Sequence, residues 1–343
     1  MFNLYLKEPV GPFSFWVNMK IDVGIINYNG GSELLECVRS LLAQSEPVRV
    51  FVFDNASADN SIQRLRELGL ECKIIESDKN LGYAGACNGL LEKMSADIQV
   101  LCNMDLEFDS TWATNLLACF ERHPEAGSVA SLVMEKSGVV NAVGVQFGTD
   151  LFAKNEASGL NIADADVREK EVFGCYGAVM SFRKEAAMAA GKMDASFFLF
   201  FEETEWYFRH NLAGFKTIFC PEAKVYHERS MTTVRYSPLK LFYSERNRLR
   251  TAIRLLPMRD VLKLPFRGFV RYLNMAKGGV PGQSGDGKKL SKISICSALL
   301  KAWLQAVAML PMELGIRRSY RKKFGAVGAK TRYILKMYPI TNR

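Results

Sequence analysis

The chain is poor in the residues that usually build metal centres and covalent staples. It has three histidines in 343 residues, and none of its eight cysteines falls in a CxxC pair or another metal-ligand spacing. Scattered mostly among apolar neighbours, those cysteines read as reduced, buried thiols of a cytosolic protein rather than a disulfide framework. The first twenty residues lack a positive leading segment, and Pro9 and Pro12 interrupt their apolar stretch, so no signal peptide is expected. Met19 directly precedes the first strand, and residues 1–18 are expected to be dispensable or to arise from an upstream start codon. There is no internal repeat, and the one low-complexity stretch, GGVPGQSGDGKK at 278–289, reads as a flexible linker. Neither a P-loop nor a GxGxxG spacing is present, which disfavours ATP and NAD binding.

Apolar content and charge asymmetry are what the chain does have. A hydrophobic share of 48% can bury the core of one large domain with an appendage, or of two domains. The net charge of +9 is unevenly spread: residues 1–235 hold 22 Lys/Arg against 32 Asp/Glu, and residues 236–343 hold 23 against 4. A back segment this basic suits a polyanion, whether phospholipid headgroups or nucleic acid, or forms a solvated face, whereas the acidic front matches RNA or DNA poorly.

Along the front, apolar runs alternate with helical patterns. Strands are expected at Ile21–Asn27, Val48–Phe53, Cys72–Glu76 and Ile98–Cys102. Helices are expected at Ser32–Leu42, from an N-cap at Ser57 to Leu68, within Asn80–Met94, and from Thr111 to His123. This spacing predicts a mostly parallel, doubly wound sheet. Further on come glycine-broken β-runs over 127–147, a polar loop over 148–170, a strand at 172–182, helices at 184–190 and 203–212, and strands around Thr217 and Val225.

In such a sheet ligands bind beyond the carboxyl ends of strands. The first run ends in Asn27-Tyr28-Asn29-Gly30-Gly31, the second in Asp54-Asn55-Ala56-Ser57, and the fourth in Asn103-Met104-Asp105. An amide and a carboxylate at i and i+2 in extended chain point the same way, so Asn103 could bond a ribose hydroxyl while Asp105 ligates a divalent ion on a diphosphate. Taken alone, such a pair is more commonly a turn-forming Asn/Asp. The glycine-punctuated stretch Asn80-Leu81-Gly82-Tyr83-Ala84-Gly85-Ala86-Cys87-Asn88 lets a backbone approach a ligand closely.

Taken in order, these motifs resemble family 2 glycosyltransferases of the GT-A fold, particularly the bacterial rhamnosyltransferase-like branch, over roughly residues 21–255. The resemblance implies an α/β, Rossmann-like, mostly parallel sheet with helices on both faces. It implies that Asn27 and Asn29 line the nucleotide pocket, that Asp54 meets the base, and that Asn80, Gly82 and Asn88 border the donor site. Asn103 and Asp105 stand for the family's DXD motif; Asn departs from the usual first Asp, so metal binding leans on Asp105. Phe200-Phe201-Glu202-Glu203-Thr204-Glu205-Trp206 resembles the acidic motif whose second carboxylate is the catalytic base, which maps onto Glu203. Glu in place of the usual Asp leaves Glu202 as a substitute. His227 matches a histidine near the metal, and imidazole with carboxylate suits Mn²⁺ somewhat better than Mg²⁺. Gly174-Cys175-Tyr176-Gly177-Ala178 with Arg183, and Gly191-Lys192-Met193-Asp194, resemble acceptor-side segments. The arginines of Tyr243-Ser244-Glu245-Arg246-Asn247-Arg248 face phosphate or form a solvated helix face.

Within Ile293–Ile316 the only formal charges are Lys301 and Glu313, and Arg317, Arg318, Arg321, Lys322 and Lys323 follow at once. The stretch is too interrupted for a spanning helix and reads as an amphipathic segment with a polybasic flank, or as core helices of a small helical domain. The expectation is therefore an N-terminal extension (1–20), a catalytic domain (21–255) and a basic, membrane-associating helical region (256–343). The implied activity is inverting transfer of a sugar, rhamnose among the candidates, from a nucleotide-diphosphate sugar to a glycan or lipid-linked acceptor in cell-surface polysaccharide (O-antigen, lipopolysaccharide or cell-wall) synthesis. It would take place on the inner face of the cell membrane, against an anionic surface. Self-association stays open. The competing expectations are a catalytically impaired nucleotide-sugar binder, suggested by Asn103 and Glu203, and a nucleic-acid-binding protein using the basic tail.

Overall fold

The computed structural model describes residues 19–227, 237–268 and 292–340. The N-terminal extension and the glycine-rich stretch at 278–289 lie outside the described residues. At the centre is β1 (Ile21–Asn27), a β-branched run whose seven residues are all buried because helices cover both faces of its sheet. It pairs in parallel with β2 (Arg49–Asp54) on one side and β4 (Ile98–Asn103) on the other, and β3 (Lys73–Glu76) extends the parallel set beyond β2. Past β4 the sheet turns mixed. β11 (Val179–Arg183) runs antiparallel between β4 and β6 (Ala126–Met134), and β12 (Lys216–Tyr226) runs parallel to β6. The order β10-β12-β6-β11-β4-β1-β2-β3 follows, with β10 at Lys170–Val172.

Two apolar cores flank the sheet. On one face Leu34, Leu35 and Val38 of α1 (Gly31–Leu42), Ile62 and Leu65 of α2 (Ser61–Glu67), and Trp112, Leu116 and Phe120 of α4 (Trp112–Arg122) share one core with apolar residues of β1, β2, β4, β6 and β12, α4 lying against β6 and β12. The other core joins α3 (Gly82–Leu91) and α6 (Glu202–Leu212) to the C-terminal helices. Here α3 comes so close that a Cβ at Gly24 of β1 would sit 2.9 Å from the Leu90 methyls, which explains a glycine in mid-strand.

The alternation of strand and helix in the front half is found where it was expected, and the differences have local causes. Ser57 does not cap a helix: its hydroxyl donates to Asp54 Oδ1 at 2.5 Å, and α2 begins four residues later. The run 172–182 is broken by a turn between β10 and β11, where Gly174 lies against the Tyr207 ring. The two strands expected around Thr217 and Val225 are one, β12, with a register shift between Cys220 and Lys224 that accommodates Pro221.

At the C-terminal end, α7 (Pro238–Leu255) is capped by the Ser237 hydroxyl, which accepts from Lys240 N at 3.0 Å. After the short α8 (Met258–Val261), α9 (Lys292–Ala308) and α10 (Leu310–Phe324) meet at 61°, with Pro311 in the first turn of α10. The last helix, α11, covers Val327–Met337. Ala306, Phe324, Val327, Ile334 and Leu335 enter the same core as α3 and α6, so the C-terminal helices share the interior of the α/β domain.

Candidate active site

The carboxyl ends of β1 and β2 are tied together by a buried polar knot. Asn27 Nδ2 lies 2.8 Å from Asp54 Oδ1 and 3.1 Å from the hydroxyls of both Ser57 and Ser61. Asn27 Oδ1 is buried without a hydrogen-bond partner among the described residues, and a Cβ at Gly30 would sit against it. Asn29, with φ 55°, donates its N–H to Ser57 Oγ at 2.9 Å and accepts from Ala58 N–H at 2.8 Å. These groups shape the loops at the strand ends. Ser61 was not singled out from sequence, and Ser57 stood there as a helix cap and a strand-end residue, because only the fold reveals that their hydroxyls converge on Asn27.

The Asn80–Asn88 stretch is latched at both ends. Asn55 Nδ2 donates to Asn80 Oδ1 at 3.1 Å and Leu81 N–H donates to Asn55 Oδ1 at 2.7 Å, while Asn80 Oδ1 also accepts from Gly82 N–H at 2.8 Å. Gly82 has φ +70°, and a Cβ there would strike the Phe198 carbonyl oxygen, which accepts Tyr83 N–H at 2.7 Å. The Asn88 side chain bonds both backbone groups of Met193, donating to its oxygen at 2.8 Å and accepting from its nitrogen at 2.9 Å. Asn88 therefore joins α3 to the segment Gly191–Asp194.

Beyond β4, Asp105 and His227 meet: Oδ2 and Nε2 are 3.4 Å apart, with both side chains nearly buried. Asn141 Nδ2 lies 3.3 Å from His227 Nδ1 and donates to the His227 carbonyl at 2.9 Å, orienting the ring so that Nε2 faces the carboxylate. Two donors at this separation can both lie within about 2.2 Å of one cation, and a carboxylate with an imidazole suits Mn²⁺ or Mg²⁺. The pair thus fits a divalent ion. Glu33, in the first turn of α1, feels the same site: burial first, then the charge of Asp105, raises its carboxyl above the ordinary value. The Asn103 side-chain amide is partly exposed and bonds no other described residue, while its N–H donates to the Ala178 oxygen at 2.9 Å.

Glu202 and Glu203 open α6. Glu202 is buried and its Oε2 has no hydrogen-bond partner among the described residues. Burial, then the neighbouring Glu203 charge, pushes its carboxyl well above the usual range, and burial raises Glu203 as well. Glu203 rests on Gly177, where a Cβ would come within 3.2 Å of its Cγ; the Gly177 oxygen accepts from the Tyr83 hydroxyl at 2.6 Å. Three consecutive residues therefore bridge the whole site. The Tyr176 ring lies 6.2 Å from His227, Gly177 supports Glu203, and Ala178 holds the Asn103 backbone.

Other residues singled out from sequence lie elsewhere. Arg183 is buried and donates to the carbonyls of Ala126 at 2.9 Å and Phe120 at 2.8 Å, away from the acceptor side. The α7 arginines do not form a solvated face: Arg246, Arg248, Arg250 and Arg254 are all buried. Arg248 forks onto Glu245 at 2.9 and 2.7 Å, and Arg246 donates to the Phe197 carbonyl at 2.7 Å. Of the cysteines, all free, Cys296 is exposed and Cys72 half-buried; the other six are buried as expected.

A family model described as "Glycosyl transferase family 2" matches residues 22–190. The N-acetylglucosaminyl-diphospho-decaprenol L-rhamnosyltransferase of Mycobacterium tuberculosis is 23% identical over 239 residues, covering 63% of this chain and 78% of that protein. Among solved structures, TarS 1-349 of S. aureus aligns with a TM-score of 0.52 and 17% identity, covering 92% of each chain. GalNAc-T7, crystallised with UDP, GalNAc and Mn²⁺, aligns with a TM-score of 0.56 and 13% identity, covering 85% of this chain; the chain spans only 58% of its length. At these identities the structural likeness shows a common fold.

Proposed function

From the premise that residues 22–190 are a family 2 glycosyltransferase domain on a GT-A fold, and the chain hence a glycosyltransferase, we propose an inverting enzyme that moves L-rhamnose from a nucleotide-diphosphate sugar to a lipid-linked N-acetylglucosaminyl diphosphate. The sugar and the acceptor are supported by the name of the mycobacterial relative, and the setting would be cell-surface polysaccharide synthesis. The observation that carries the reading is the bridge of Tyr176, Gly177 and Ala178, three consecutive residues that contact His227 of the carboxylate–imidazole pair, Glu203 of the acidic pair and the backbone of the strand-end Asn103.

In this reading Glu203 accepts the proton of the acceptor hydroxyl as its oxygen bonds the anomeric carbon, and the bond from that carbon to the diphosphate oxygen breaks. Asp105 and His227 would hold the divalent cation, whose positive charge offsets the charge of the leaving diphosphate. Glu203 is half-buried beside the buried Glu202, and its desolvation raises its proton affinity above that of an ordinary carboxylate. The test is transfer from nucleotide-activated L-rhamnose to a lipid-linked acceptor. Glu203→Gln should lower kcat by about 10³-fold with donor affinity retained. Turnover that survives in both Glu203→Gln and Glu202→Gln would remove the base from the proposal, and donor binding without any turnover in the unaltered protein would favour an impaired binder.

The place of action in this proposal is the cytoplasmic membrane surface. No helix among the described residues is long and apolar enough to cross a membrane alone. On α9, however, Ile293, Leu300, Leu304 and Val307 are 82%, 56%, 62% and 67% exposed and share one helix face, while Ala298, Leu299, Ala302 and Ala306 are buried on the other. An outward apolar stripe followed by exposed Arg318, Arg321, Lys322 and Lys323 on α10 fits a helix lying in the headgroup layer of an anionic leaflet.

A further inference from the structure

Just before the acidic pair the backbone takes a path that side-chain-bearing residues rarely adopt. After a single 3-10 turn at Ala195–Phe197, the residues Phe198, Phe200 and Phe201 have φ of 65°, 65° and 72°. All three lie in the left-handed region, where a Cβ crowds the following carbonyl. None is glycine, so the conformation must be held by the surroundings.

The holding group is one side chain. Asn247, fully buried on α7, points its Nδ2 at the carbonyl oxygens of Phe197, Leu199 and Phe200, at 3.0, 2.9 and 2.7 Å. An amide nitrogen carries two hydrogens, so three acceptors share them, and no shorter or apolar side chain could gather the same carbonyls. Arg246 Nη2 reinforces the grip at the Ser196 and Phe197 oxygens, at 3.1 and 2.7 Å. The Phe198 oxygen faces the opposite way and takes the Tyr83 N–H of the donor-side helix. The segment is thus clamped between α7 and the start of α3, and it hands the chain directly to Phe201, Glu202 and Glu203.

We infer that Asn247 is a positioning residue for transfer: by gathering three carbonyls of the left-handed turn it sets the direction in which α6 presents Glu203, and the register of that base against the donor-side helix. The inference rests on the reading of Glu203, with Glu202, as the proton acceptor. Asn247 itself touches neither donor nor acceptor in this account. Its loss should act on the chemical step while leaving donor affinity nearly intact.

The experiment compares Asn247→Ala, Asn247→Ala combined with Phe201→Gly, and Glu203→Gln in the full chain, each checked by thermal unfolding. Asn247→Ala should lower kcat about a hundredfold with the donor dissociation constant within about twofold, and should shift the acid limb of the pH–rate profile as the burial of the pair relaxes. Adding Phe201→Gly should restore a measurable part of kcat, because glycine adopts the left-handed conformation without a clamp. If Asn247→Ala does not accumulate folded, Asn247→Ser, which keeps one donor, is assayed with the same partner substitution. A kcat within about twofold of the unaltered protein would overturn the inference while leaving the base assignment intact. So would a loss that neither moves the pH limb nor responds to glycine. Full turnover in both Glu203→Gln and Glu202→Gln would instead overturn the base assignment, and this inference with it.

Discussion

Glu202 shows how a residue can be legible in type and opaque in environment. Two adjacent acids before an aromatic helix are visible in the sequence, but that one is buried with an unpartnered oxygen depends on the far side of the fold. Because burial raises its carboxyl in the folded state, folding favours the protonated form. The stability this gives is present below the ordinary carboxylate value and is lost as pH rises through the raised one. Glu202→Gln, which keeps shape and cannot ionise, should therefore raise the melting temperature at pH 8 and change it little at pH 4. Equal shifts at both pH values, or a lower melting temperature at pH 8, would show that burial of the charge is not the cost. The same opacity affects the asparagines. Asn27, Asn29 and Asn88 stand in the positions of pocket residues, yet in each the amide bonds a neighbouring loop or helix. A polar side chain at a strand end looks alike in sequence whether it turns toward a ligand or toward its own scaffold. Asp105 and His227, which the family resemblance assigns to one metal, are neighbours in the fold, although they lie 122 positions apart in the sequence.

Among the elements, α7 carries the largest gap between sequence and structure. Its arginine-rich face reads as solvated, but Arg250 and Arg254 are buried and both donate to Glu313 of α10, Arg250 Nε at 2.6 Å. The partner lies some sixty residues away across the chain, and no periodicity reports such a pairing. Asp194, from the acceptor-side segment, joins the same network. Burial opposes its ionisation, but Arg254 and the Ser196 hydroxyl outweigh that and hold its carboxyl at about 2. The C-terminal helices are therefore fastened to the segment around Asp194, and α7 links them to the clamp on Phe197–Phe200. Replacing Glu313 by Ala leaves two buried guanidinium groups undercompensated, which should cost about 3–5 kcal/mol in urea unfolding. A loss below about 1 kcal/mol would mean that Asp194 and Glu205 neutralise the arginines without it. By contrast the parallel front sheet was readable throughout, because its strands are short apolar runs separated by helix-length amphipathic segments.

At the scale of the whole molecule, the proposed function assigns different tasks to the acidic front and the basic helical back: the front would hold the donor, and the back would meet the surface that carries the acceptor. If the stripe on α9 enters the headgroup layer, burying Leu300 and Leu304 contributes about 1.5–3 kcal/mol each, comparable to the whole electrostatic gain from two or three basic residues near an anionic leaflet. Apolar contact and charge should then fail independently. Leu300→Glu with Leu304→Glu should abolish sedimentation with phosphatidylglycerol vesicles even at low salt. Charge reversal at Arg321, Lys322 and Lys323 should weaken it in a salt-dependent way, and phosphatidylcholine vesicles should bind the unaltered protein poorly. Since these positions face outward and away from the buried network, turnover with a short, water-soluble acceptor should stay within about twofold, whereas turnover with a vesicle-borne lipid acceptor should fall by about tenfold or more as the local concentration effect is lost. Unchanged vesicle binding in the double leucine variant would assign the stripe to some other contact, and an equal loss on both acceptors would mean that the helices support the site mechanically rather than by bringing it to the membrane.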